Sequence, residues 1–187
     1  MRDAQHQLRQ TKGFDTKIQE TIRGLEGTMS RIYFETLSAM LKPPYQFNGR
    51  SRQPAQDLFN AFLNYGYGIL YSRVETALIK AGINPYVGFL HRDGYQFKSM
   101  VFDFIEPYRI YVDRTVVRLC TRRQLTKTHL EPKGKKGLYI NKAGKQILVK
   151  AFLDLFDEQA DQVNQHPKRT TPAQHLQASA HRFAKAL

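Results

Sequence analysis

The run PAQDLFNAFLNYGYGILYSRVETALIKAG, residues 54–82, constrains the fold most. Its apolar positions Leu58, Phe59, Phe62, Leu63, Ile69, Leu70, Val74 and Leu78 recur at three and four, the spacing of one helix face turned to a core. Pro54 suits the first helical turn, where its missing amide costs nothing, and Gly82 with Asn84 and Pro85 ends the run. A second stripe on the same helix, Asp57, Asn60, Asn64, Tyr67 or Gly68, Tyr71 and Glu75, is polar or aromatic. Glu75 therefore sits at the far end of a polar track.

The flanking segments are mostly helical too. Apolar spacing predicts a helix from Asp15 or Thr16 to Leu41, interrupted near Gly24 and Gly27 and stopped by KPP at 42–44. GFLHR and YQFKS flank Asp93-Gly94, a hairpin signal that puts His91 on the first strand. Another helix is expected from Ser99 to Arg122 or Arg123. Pro107 lies inside it and removes the amide that would bond the Asp103 carbonyl, so a distortion is expected between Asp103 and Glu106. LTKTHLEPKGKKGLYINKAGK reads as a basic loop with at most a short hairpin, and KQILVKAFLDLFDEQADQ as an amphipathic helix. HPKRTTP is a linker before a C-terminal helix, AQHLQASAHRFAKAL. The expectation is a mainly α, multi-helix domain with at most a small β-hairpin. It divides into a flexible segment at 1–14, a helical domain at 15–165, and a linker with a short helix at 166–187.

The 187 residues suffice for one well-buried core. The single cysteine, Cys120, rules out an intrachain disulfide and points to a reducing cytoplasm. No apolar run approaches the roughly twenty residues that span a bilayer, so no membrane partner is expected. Charge is more telling. There are 29 Lys and Arg against 16 Asp and Glu, a net +13. Residues 114–187 hold most of the excess, with 15 basic and 5 acidic side chains. Such a field attracts polyanions in a salt-sensitive way and favours nucleic acid over an uncharged small substrate.

Asp103 and Glu106 are three apart and share a helix face. Periodicity alone allows them to be a solvated face opposite Met100, Val101, Phe104 and Ile105, or an acid cluster set by packing. Helix, hairpin and helix adjacent in sequence usually pack together, so Glu75, His91, Asp103 and Glu106 can converge. Hard carboxylates plus one imidazole suit Mn²⁺ or Mg²⁺, with positions open for water and phosphate oxygens. Zinc would want Cys or closely spaced His, and the other histidines are scattered. No GxSxG elbow supports a serine nucleophile. Gly66 and Gly68 sit mid-helix, where close helix packing explains them better than a nucleotide loop. Arg50 and Arg52, before the long helix, either hold a phosphate or decorate a loop. Lys133, Lys135 and Lys136 read as a polyanion contact.

RGLEGTMSRIYF, then GRSRQPAQDLFNAFLNYGYGILYSRVETALIKAGINPYVGFLH, then VFDFIEPYRIYVDR resemble the C-terminal helical domain of the CRISPR-associated endonuclease and integrase family, the first Cas protein. The resemblance is close over about residues 22 to 123. It implies a metal-dependent DNA endonuclease and strand-transfer enzyme of CRISPR spacer acquisition, acting on double-stranded and branched DNA together with the second Cas protein. Glu75, His91 and Glu106 fall on the family's Mn²⁺ or Mg²⁺ ligands and catalytic groups, and Asp103 on an accessory acid. Arg50, Arg52, Arg73, Arg92, Lys133, Lys135 and Lys136 are expected DNA contacts. Family members carry a β-rich N-terminal domain that contributes to a homodimer. Here only about twenty polar residues precede the RGLEG block, so the chain reads as the catalytic half and the homodimer expectation loses its usual support. The competing expectation is a non-catalytic basic DNA-binding or assembly module.

Overall fold

The computed structural model of the chain describes residues 16–88, 97–133, 137–158 and 170–187. The expected central helix is present as α2, Leu58–Lys80, preceded by α1, Thr16–Met40. After α2 come α3, Ser99–Ile105, a 3-10 turn at Glu106–Tyr108, and α4, Arg109–Thr121. A second 3-10 turn, Lys127–His129, leads into strands β1, Leu130–Lys133, and β2, Gly137–Ile140. Helix α5, Lys142–Leu153, runs on into a π turn at Asp154–Glu158, and α6 spans Pro172–Ala186. The architecture is mainly α with one small antiparallel hairpin, in which Leu130 pairs with Ile140 and Lys133 with Gly137. The hairpin expected around Asp93-Gly94 lies outside the described residues.

Packing follows the stripe on α2. Phe59, Phe62, Leu63, Leu70, Val74 and Leu78 are all but inaccessible, and α3, α4, α5 and α6 close around them with Val101, Val112, Leu148 and Leu176. Gly66 is where α2 and α4 approach most tightly: a Cβ there would lie 2.5 Å from Val112 Cγ1. The close-packing expectation therefore fits Gly66. It does not extend to Gly68, around which nothing lies within 4 Å of an added Cβ.

Two boundaries differ from the sequence reading. Helix α1 runs unbroken through Gly24 and Gly27. A helical glycine costs only about 1 kcal/mol relative to alanine, too little to break a helix of this length. Helix α2 starts at Leu58, not at Pro54, because Asp57 caps it: the Asp57 carboxylate accepts from the Asn60 amide at 2.7 Å. Ala55 instead bridges to Leu138 of β2, tying the preceding loop to the hairpin. Pro107 does what its missing amide requires. The helix tightens into the 3-10 turn at Glu106 and restarts at Arg109, so Asp103 and Glu106 lie on either side of the junction.

Helix α1 presses Phe34 and Ser38 into the core, Leu41 just beyond its end is buried too, and the Ser38 hydroxyl donates to the Phe47 carbonyl at 2.7 Å. Among the described residues no helix is long and apolar enough to cross a membrane.

Candidate metal centre and the adjoining basic cleft

Glu75 and Lys98 form an ion pair at 2.6 Å, and one turn away the Tyr71 and Phe102 rings meet edge to face at 5.1 Å. These two pairs set α2 and α3 antiparallel, with Glu75 near the start of α3. The Glu75 carboxylate holds the Lys98 ammonium above its ordinary pKa, chiefly through their hydrogen bond. Glu106 Oε1 accepts from Arg109 Nη2 at 2.8 Å. Each of the two acids thus carries its own cation.

Asp103 lies beneath Gly88. A Cβ added at Gly88 would come within 2.8 Å of Asp103 Oδ2 and 2.5 Å of Ser99 Cβ, so only glycine lets the chain pass this close to α3. His91 and Arg92 lie outside the described residues. Of the described residues that flank them, Gly88 packs on Asp103 and Lys98 pairs with Glu75. Among the described residues, no group of three or more His, Cys, Asp or Glu side chains is placed to hold a metal ion.

A cleft of about 790 Å³ is lined by Arg50, Arg52, Arg109 and Lys145 together with Tyr67, Tyr71 and Phe102, and none of Glu75, Asp103 and Glu106 lines it. A neighbouring recess of about 1150 Å³ shares Arg50, Arg52, Tyr67 and Arg109 and reaches Glu106 and Asp113. Arg50 is the anchored cation. Its guanidinium donates to Asn60 Oδ1 at 2.9 Å and to the Ser51 carbonyl at 2.7 Å, and burial lowers its pKa. Asn60 is itself fully buried, which explains one polar position in the second stripe of α2: it organises the Arg50 loop.

The sequence reading missed Asp113. This carboxylate is almost wholly buried and accepts the Tyr67 hydroxyl at 2.6 Å and the Tyr33 hydroxyl at 2.8 Å. Burial raises its pKa, with the two phenols acting in the opposite direction. Burial and the facing carboxylate in turn raise both phenol pKa values, so both hydroxyls stay protonated donors at neutral pH. The legible signal was position. Asp113 falls among Tyr111, Val112, Thr115 and Val116, all buried, where the pattern calls for an apolar side chain.

Of the expected DNA contacts, Arg50 and Arg52 line the cleft. Arg73 instead pairs with Asp157 and lies 5.8 Å from the Phe156 ring centroid, pinning α2 to the π turn. Lys133 ends β1 opposite Gly137, and Lys135 and Lys136 lie outside the described residues.

Comparison with known proteins decides the family. The family model described as CRISPR associated protein Cas1 matches residues 1–154. The chain belongs to the Cas1 family. A relative in Thermus thermophilus, named CRISPR-associated endonuclease Cas1 1, is 37% identical over 171 residues, covering 90% of this chain and 52% of its own length. Another of that name in Archaeoglobus fulgidus is 35% identical over 148 residues, 75% of this chain and 43% of its own. The chain spans about half the length of these curated relatives. Among solved structures, a casposase bound to integration product superposes with a TM-score of 0.83 at 26% identity, over 91% of this chain and 48% of that one. A Cas6-RT-Cas1–Cas2 complex gives 0.78 at 26% identity, over 90% and 18%. The Cas1 fold is thus shared across nearly the whole chain.

Proposed function

We propose that this chain is a metal-dependent DNA endonuclease and integrase domain of CRISPR spacer acquisition, with Glu75, His91 and Glu106 as Mn²⁺ or Mg²⁺ ligands and Asp103 as an accessory acid. The observation that carries the reading is that both ends of the segment bearing His91 abut the acids: Gly88 lies on Asp103, and Lys98 is bonded to Glu75. Family membership supports it, as do relatives named endonucleases and a structural neighbour bound to an integration product. The second Cas protein as partner is supported by likeness to a chain in a Cas1–Cas2 complex.

The donor set fits a hard divalent ion. Two carboxylates and an imidazole make a hard oxygen and nitrogen set that leaves positions for phosphate oxygens. When bound, such an ion polarises a phosphodiester and activates either water, for cleavage, or a DNA 3′-hydroxyl, for transesterification. The chain's own residues supply the rest. Arg50, Arg52, Arg109 and Lys145 give the cleft the charge to take a DNA backbone, and Phe102 and Tyr71 wall its inner side. Lys98 balances the Glu75 carboxylate and Arg109 the Glu106 carboxylate.

Replacing Glu75, His91 or Glu106 singly by Ala is expected to abolish Mn²⁺-dependent cleavage and strand transfer on branched DNA while thermal unfolding stays cooperative. Unchanged activity in all three variants would sink the proposal. DNA binding that survives chelation with no metal-dependent product would make the chain a non-catalytic DNA-binding module instead.

A further inference from the structure

The two guanidiniums that face both the cleft and its neighbouring recess, Arg50 and Arg109, share one support. Their Cζ atoms lie 5.4 Å and 5.5 Å from the centroid of the Tyr67 ring. Arg50 is held on its other side by Asn60 and Ser51, and Arg109 by Glu106. Tyr67 is fixed in its turn: its hydroxyl donates to Asp113 Oδ1 at 2.6 Å, while Tyr33 of α1 holds the other carboxylate oxygen at 2.8 Å. The tether depends on local packing. Gly66 lets α2 close on Val112, and that approach brings the next residue of each helix, Tyr67 and Asp113, into bonding range.

We propose that Asp113 is a positioning residue for DNA binding: through Tyr67 it holds Arg50 and Arg109 as a preorganised pair that receives a DNA phosphate beside Glu106. This deepens the function proposed above and rests on it, since it names how the same site grips its substrate. An arginine on an exposed helix turn loses rotamer freedom when it grips a phosphate. A ring that already holds its guanidinium removes part of that cost and adds a cation–π contact. The charge arithmetic permits it. Arg31, Arg50, Arg52 and Arg109 outnumber Glu26, Glu106 and Asp113 around the recess, and both oxygens of the Asp113 carboxylate are taken up by phenols.

The test is fluorescence anisotropy of the full chain with fluorescein-labelled branched DNA, in EDTA, across a salt series. Arg109→Gln is expected to weaken binding and to lower the slope of log affinity against log salt by about one, as loss of one phosphate contact requires. Tyr67→Phe keeps the ring and loses the tether; it should weaken binding about three- to tenfold and reduce the slope in the same direction. In the double variant the combined effect should fall short of the sum, because part of the Tyr67→Phe loss acts through Arg109. Asp113→Leu, which removes both acceptor oxygens, should behave as Tyr67→Phe does; should that variant fail to fold, Tyr67→Phe carries the decision. An unchanged slope in Arg109→Gln, or strictly additive effects in the double variant, would overturn the proposal. Because binding is read without metal, it fails separately from the catalytic reading, which Glu75→Ala tests through product formation.

Discussion

At the scale of single residues, the chain shows how small groups set the positions of large ones. Gly66 is the clearest case. Ala there would put a Cβ against Val112 Cγ1, at the 2.5 Å noted above. Overpacking of this kind typically costs about 1–3 kcal/mol, more than alanine's helix preference returns. Gly66→Ala should therefore lower the denaturation midpoint, and adding Val112→Ala should recover part of the loss; no recovery would show that the clash is not with Val112. Cys120 makes a second prediction. Burial pushes its thiol from 9.0 up to about 12. The folded chain then keeps its proton where the unfolded chain has lost it, so this thiol's contribution to stability falls as pH rises from about 9 towards 12. At pH 8 it should react with a disulfide reagent only as fast as the chain opens, and prompt labelling of native protein would contradict that burial.

At the scale of elements, α6 is held on the bundle by Leu176 and Ala180, both essentially inaccessible, and by Gln177 donating to the Ala77 carbonyl at 3.3 Å. Leu176→Ala should destabilise the domain by about 2–5 kcal/mol in a denaturant titration, whereas Arg182→Ala on the exposed face should be close to neutral. Elements of this kind were legible because their periodicity is strong: the α2 stripe, the α1 span and the distortion at Pro107 all follow from spacing and a missing amide. Ends were less legible. Pro54 advertises a first turn, yet Asp57 wins because its carboxylate satisfies an orphan amide of α2, which outweighs a preset φ four residues too early. Of the candidate site, Glu75, Asp103 and Glu106 could be picked out in the sequence as acids, but Lys98 and Arg109, which pair with Glu75 and Glu106, are ordinary basic residues until the helices are packed. The Asp113–Tyr33–Tyr67 cluster joins residues 46 and 80 positions apart, and no local pattern reports such a contact.

At the scale of the whole molecule, a net charge of +13 surrounds the chain with a field that draws polyanions, which the proposed function takes to be DNA. Affinity for duplex DNA should fall by orders of magnitude between about 50 mM and 200 mM salt, as counter-ion release dictates, with little dependence on sequence. A flat salt response in a binding titration would mean that the basic surface is not the DNA contact. In the proposed function, charge brings DNA to the surface and the acids supply the chemistry. The central claim is therefore that Glu75, His91 and Glu106 take a divalent ion in common. Anomalous scattering from crystals soaked in Mn²⁺ tests it most directly. One strong peak is expected within bonding distance of all three side chains, with Lys98 released from Glu75. A peak elsewhere, or none, with the Glu75–Lys98 and Glu106–Arg109 pairs intact, would contradict it.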